Sequence, residues 1–175
     1  MERRIEKAKK IVEIINIEDI KDDLIKLEKA IDKTWRYMRK IGVTDICRMC
    51  AEETGSCCRD WVEDEIDEIM IAMNMIIGVK IPKKRLKEDL CYFLGKDGCV
   101  LKVRPSLCVS YLCELIRNSI GYEKERKLQK LIDREIKLSS NLREKILRLV
   151  SCSSGRSSLE SCRSPSHIQE RSFST

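Results

Sequence analysis

Eight of the ten cysteines in this chain fall between residues 47 and 113. A thiolate is a soft, anionic donor suited to zinc, copper(I) and iron–sulfur clusters. The eight read Cys47-Arg-Met-Cys50, the vicinal pair Cys57-Cys58, then Cys91, Cys99, Cys108 and Cys113. A Cys-x2-Cys spacing turns two thiolates toward one ion with little strain, and eight such groups exceed what core packing requires. Two blander readings stand beside metal binding. Any one cysteine can be a small buried hydrophobe, and an even count in a small domain is how disulfide scaffolds read. The first twenty residues carry charge throughout and contain no apolar signal segment, so a cytoplasmic location is expected. There thiols stay reduced, which favours metal over disulfides.

Spacing limits how the sulfurs can be shared. Thiolates on one zinc lie about 4 Å apart, given Zn–S bonds of about 2.3 Å. In a regular hairpin Cys91 and Cys99 face opposite sides of the ribbon, or share a side about 13 Å apart. Cys108 and Cys113, on one α-helix, are about 140° apart around its axis. The expectation is two neighbouring sites, or one cluster with irregular segments around it. Two all-thiolate zinc sites or oxidised cubane clusters would each carry about −2. Arg48, Arg59, Lys96, Lys102 and Arg104 are near enough in sequence to offset that charge.

The elements that must position these groups read as helical. Charged residues make up 37% of the chain and aromatics 5%, which favours ion-rich helices over a large sheet. Residues 2–15 are periodic, and 17–40 predict an amphipathic helix with Ile17, Ile20, Leu24, Leu27, Ile31 and Met38 on a near-heptad stripe packed on neighbouring helices. Gly42 ends it. Asp60 to Glu63 reads as a capping box, opening a helix that carries Val62, Ile66, Ile69, Met70, Met73 and Ile77 and closes at Gly78. The methionines there read as core, and Glu63, Asp64, Glu65, Asp67 and Glu68 as a solvated acidic face near a helix N-terminus. Lys80, Lys83, Lys84, Arg85 and Lys87 form a wet basic run. Residues 91–103 predict a hairpin turning at Asp97-Gly98. A helix is expected from Ser106 to about Ile116, then two more at roughly 122–138 and 142–150, the second entered through Asn141 with Glu144 three residues on. The apolar run from Ile69 to Val79 is too short to span a bilayer. Ten of the last twenty-five residues are serine, so 151–175, with Cys152, Cys162 and His167, reads as a disordered tail outside the site.

The order Cys-x2-Cys, Cys-Cys, Cys-x-Phe-Leu, Gly-Cys, Arg-Pro-x-x-Cys and a final Cys resembles the zinc- or iron-chelating cysteine-cluster domains. Those domains are widespread in bacteria and archaea and include the cysteine-rich part of flagellin lysine methylases. The likeness covers roughly residues 45–115 and carries all eight cysteines, with Phe93, Leu94, Gly98, Arg104 and Pro105 in support. This chain departs from the pattern in a longer Cys50–Cys57 gap, in Val109 where arginine is usual and in Leu112 where proline is usual. The resemblance implies metal chelation by Cys47, Cys50, Cys57, Cys58, Cys91, Cys99, Cys108 and Cys113, and no settled reaction.

The expected architecture is a mostly α domain with a small β-hairpin around a cysteine-ligated metal core. Amphipathic helices occupy 1–44, the cysteine cluster 45–118, and C-terminal helices 119–150. The expected function is chelation of zinc or an iron–sulfur cluster in a structural or interaction role, with a protein partner compatible. The other reading is an iron–sulfur enzyme or electron carrier, with methyl transfer to protein lysines as the one suggested chemistry. Neither a dinucleotide loop, a P-loop nor a His-Glu-x-x-His motif is present, and no residue is singled out as catalytic. The net charge of +6 is spread along the chain, and the spacing is not that of a repeated zinc ribbon, so nucleic acid is not expected.

Overall fold

A computed structural model describes residues 1–54 and 56–153, the side chains of 52–54 excepted. The protein is mostly helical with one two-stranded antiparallel hairpin. Helix α1 (Glu2–Ile14) packs on α4 (Glu68–Ile76), and α2 (Lys21–Lys40) packs along α7 (Tyr122–Ser153). Short helices α3 (Val43–Thr54), α5 (Ser106–Ser110) and α6 (Glu114–Ile120) close the other end, and strands β1 (Leu94–Gly95) and β2 (Gly98–Cys99) form the hairpin. Among the described residues no helix is long and apolar enough to cross a membrane.

The core falls into two clusters. One joins Ala8 and Ile11 of α1, Leu24, Leu27 and Ile31 of α2, Ile71 and Met73 of α4, Phe93 before the hairpin, and Leu142 and Ile146 of α7. The other joins Val43, Val109, Leu112, Ile116, Ile120, Leu128 and Ile132. The stripe expected on 17–40 is the face that meets α7, but the helix begins at Lys21. Asn16 accepts a hydrogen bond from the Glu18 N–H and holds Ile17–Asp19 as a 3-10 turn, leaving Ile17 exposed while Ile20 is fully buried.

Four expected helices take other forms. The Asp60–Glu63 box does not open one: Asp60 accepts from the adjacent Trp61 N–H, Glu63 is drawn elsewhere, and 60–65 stays a 3-10 turn. The helix starts seven residues later, where Asp67 accepts from the Met70 N–H at 2.9 Å, and closes before Gly78 at a φ of +81°. The helix expected to run to Ile116 breaks at Tyr111, which is extended, so Cys108 lies in α5 and Cys113 caps α6. Residues 122–153 form one helix rather than two. Leu128, Ile132, Leu142 and Ile146 keep a helical stripe through Ser139, Ser140 and Asn141, and those three cost only a few tenths of a kcal/mol each in a helix. This helix takes in Ser151, Cys152 and Ser153, which the composition places in the tail; residues 154–175, with Cys162 and His167, lie outside the described residues.

Candidate metal centre

Four chain segments bring the eight sulfurs into one neighbourhood. Cys47 and Cys50 are three residues apart on α3 and so share a face of that helix. Cys57 and Cys58 follow, and their strand-like segment is tied to the second one: the Cys91 N–H donates to the Cys58 carbonyl at 2.9 Å, and Arg59 bridges antiparallel to Leu90. The hairpin brings Cys99 back opposite Leu94. Pro105 starts α5, which carries Cys108, and the break at Tyr111 returns Cys113 toward α3.

The regular-hairpin premise that separated Cys91 from Cys99 does not hold. The ladder ends at Leu94, whose N–H donates to the Cys91 carbonyl across a turn, so Cys91 is off the ribbon. The single-helix premise for Cys108 and Cys113 fails at the break after Ser110.

Neighbouring sulfurs act on one another's ionisation across the group. Cys47 feels Cys113, Cys50 and Cys58, and Cys57 feels Cys58 and Cys47. Cys91 feels Cys99 and Cys58, and Cys108 feels Cys99, Cys58 and Cys91. Cys58 is the junction between the two groups. All are thiols rather than disulfides. Cys91 is buried, Cys47 and Cys57 are exposed, and the others are half-buried. Among the described residues, however, no three Cys, His, Asp or Glu side chains stand at the spacing that would hold an ion. The sulfurs are gathered but not closed into a ligand set.

Their protonation follows from that setting. The hydrogen bond with Cys57 is the largest influence on Cys58, and with help from Ser56 and Arg104 it lowers that thiol to about 6 against the cost of burial. Cys57, on the donating side of the same bond, is pushed up. Burial, reinforced by neighbouring sulfurs, raises Cys91 to about 11 and Cys108 to about 12. It raises Cys99 as well, against Arg104.

Of the five basic residues expected to offset thiolate charge, three are engaged by carboxylates: Arg48 with Asp45 at 3.2 Å, Arg59 with Asp89 at 2.9 Å and Lys102 with Glu28 at 3.2 Å. Arg104 is the cation that faces the sulfurs, acting on Cys47, Cys58, Cys99 and Cys108. Its guanidinium lies 4.4 Å from the Trp35 ring centroid. Its Nε and Nη2 are buried with no hydrogen-bond partner among the described residues. A guanidinium stays ionised, and buried cationic donors without partners are costly. A nearby anion would compensate them, and the sulfurs and the buried Glu135 carboxylate are the groups on which Arg104 acts.

Two further residues build this arrangement, neither of them marked as part of a site by the sequence. Asn74 is fully buried on α4. Its Oδ1 accepts from the N–H groups of Lys102 (2.8 Å) and Val103 (3.0 Å), and its amide donates to the Val103 carbonyl at 2.8 Å. The chain entering Arg104 is thereby clamped to the core. Glu63, expected on a solvated face, pairs with Arg85 at 2.8 Å and accepts from the Tyr92 N–H at 2.9 Å, which fixes the residue next to Cys91. Asn74 was visible as one polar residue inside an apolar run. Glu63 carries no such mark.

No protein-family model matches this chain, and neither a curated protein nor a solved structure matches it.

Proposed function

We propose that the chain is a metal-binding protein in which Cys47, Cys50, Cys57, Cys58, Cys91, Cys99, Cys108 and Cys113 hold zinc or an iron–sulfur cluster. The observation that carries this reading is the gathering of the four cysteine-bearing segments, tied by the Cys58–Cys91 backbone bond, beside the buried, unpartnered Arg104 guanidinium. Cys47, Cys50, Cys57 and Cys113 form one half of the group, Cys91, Cys99 and Cys108 the other, and Cys58 sits between them. That division is compatible with two adjacent ions or with one larger cluster. Among the described residues no three sulfurs stand at ligand spacing, so a bound metal would need α3, the Cys57-Cys58 segment, the hairpin and the α5–α6 corner to approach more closely. Metal binding would then add directly to the stability of the fold.

A structural or interaction role is favoured, since all-thiolate zinc sites are closed and lack an open coordination position. The sequence likeness to cysteine-cluster domains supports chelation, and a reducing cytoplasm would keep the thiols available. Iron would supply electron-transfer or electrophilic chemistry instead, the setting in which methyl transfer to protein lysines would belong.

Metal and acid-labile sulfide analysis of protein purified without oxygen, together with its visible spectrum, tests the reading. Stoichiometric zinc in a colourless sample supports the structural role. Iron with sulfide in a brown sample supports the cluster reading. Cys58→Ser should lower metal content more than any other single cysteine substitution. Protein with no bound metal and all eight thiols reactive would sink the proposal.

A further inference from the structure

We propose that the groove between the basic segment 82–87 and the β-hairpin is a docking site for an acidic peptide segment of a partner protein. None of the eight cysteines lines it, so the inference stands apart from what the sulfurs hold.

The groove encloses about 420 Å³, within the roughly 300–1,000 Å³ of ligand-binding clefts. One wall is the irregular chain between α4 and the hairpin, which supplies Pro82, Lys84 and Leu86. The other is the hairpin, which supplies Leu94, Lys96 and, just past β2, Val100. The first wall is fastened rather than loose. The Tyr92 hydroxyl donates to the Pro82 carbonyl at 2.9 Å. Arg85 donates to the Leu90 carbonyl at 3.0 Å and pairs with Glu63 at 2.8 Å. On the second wall Gly95 leaves room for Val100, since a Cβ there would stand 3.1 Å from Val100 Cγ1. A site already in shape loses less to ordering when a partner docks.

Arg85 turns its guanidinium inward, but the lysines around it do not. Lys80, Lys83, Lys84, Lys87 and Lys96 are exposed, and none has a carboxylate partner among the described residues. No acidic residue lines the groove either. Elsewhere lysines do find acids, as Lys7 does with Glu68 and Lys145 with Asp23. Unanswered charge of one sign on one face steers and favours a partner of the other sign. Lys84 and Lys96 line the groove, while Lys80, Lys83 and Lys87 carry the charge along the same segment outside it. A small acid filling the groove would leave those three unanswered, whereas an extended polyanion meets them all.

The floor decides which polyanion. Pro82, Leu86, Leu94 and Val100 offer only apolar side chains, and Leu86 is 48% exposed. No aromatic ring lines the groove for a base to stack on, as single-stranded nucleic acids prefer, and the nearby Tyr92 is buried. A membrane-binding element presents its apolar side chains outward, whereas these line a concavity. A peptide in which acidic and aliphatic residues are interleaved satisfies both the lysines and the floor.

The test is fluorescence anisotropy of the full, reduced chain with a labelled peptide of alternating glutamate and leucine. The peptide should bind saturably, and raising salt from about 50 mM to about 300 mM should weaken it at least fivefold. Lys84→Glu combined with Lys96→Glu should weaken it at least about tenfold, with melting unchanged because both side chains are exposed. Leu86→Ser should weaken the leucine peptide about threefold and leave a glutamate–serine peptide unaffected, and it decides the matter if the double variant does not fold. A peptide that fails to bind at low salt, or that binds both variants as tightly as the wild type, overturns the inference. Equal or tighter binding of single-stranded DNA or of phosphatidylserine vesicles overturns it too, because the face is then a general polyanion surface. Wild-type protein that binds the peptide but holds no metal overturns the metal reading alone.

Discussion

Asn74 offers the sharpest test of how the loop carrying Arg104 is held. Replacing it with alanine strips partners from the Val103 N–H and C=O, both buried, and from the Lys102 N–H, which is partly buried. Leaving a buried backbone group unsatisfied costs about 1–3 kcal/mol, less where water can reach it. The three together give about 3–5 kcal/mol, to which the lost side-chain volume adds. That is a large share of the roughly 5–15 kcal/mol typical of a domain. Asn74→Leu separates the two contributions, because it restores volume but not hydrogen bonds and should be nearly as damaging. Urea unfolding of both variants under matched metal-loading conditions measures the loss. A change below about 1 kcal/mol in Asn74→Leu would refute the claim that hydrogen bonding, not packing, fixes Asn74 here.

Two pH dependences follow from the ionisable groups. In reduced, metal-free protein Cys91 and Cys108 sit above an ordinary 9.0, at about 11 and about 12, because burial favours the neutral thiol. A raised folded pKa contributes stability that is complete below the unfolded value and is lost as pH climbs toward the folded one. The unfolding midpoint should therefore fall between pH 9 and 11, and fall less in Cys108→Ala; a flat profile in the parent would contradict this. At the acid end, burial pushes the Asp67 carboxyl up, but hydrogen bonds from Arg143 (2.8 Å) and the Met70 N–H hold it below its usual 3.8. Its stabilisation is present above the unfolded pKa and is lost as pH falls through the lowered one. Asp67→Asn should cost about 1 kcal/mol at neutral pH, discounted for its partial exposure, and flatten the acid limb of the stability profile. An unchanged acid limb would argue against the assignment.

Apolar periodicity made α1, α2 and the body of α4 readable from the sequence, because each buries one face and the spacing of that face is written directly in residue types, and the Asp97-Gly98 turn signal marked the hairpin. Local signals misled where long-range partners outbid them. The Asp60–Glu63 spacing fits a capping box, yet Arg85 and the Tyr92 N–H, more than twenty residues away, claim the Glu63 carboxylate. Asn141 and Glu144 look like a helix start, but the buried stripe of α7 runs straight past them. The cysteines themselves were legible as a set. Their division around Cys58 was not, because it depends on the Cys58–Cys91 backbone tie and on the break after Ser110. Arg104 could be named for its charge, whereas its burial against Trp35 is a fact of the fold.

Helix α7 is 32 residues long, about 48 Å of continuous rod, and it contributes Leu128 and Ile132 to one apolar cluster and Leu142 and Ile146 to the other. Neither half of the molecule has a wall of its own on that side. Opening one cluster means fraying the rod that the second is built on, so the two halves melt as a single cooperative unit rather than as separable modules. Slow amide exchange along the middle of α7 would then report the global opening of the whole protein.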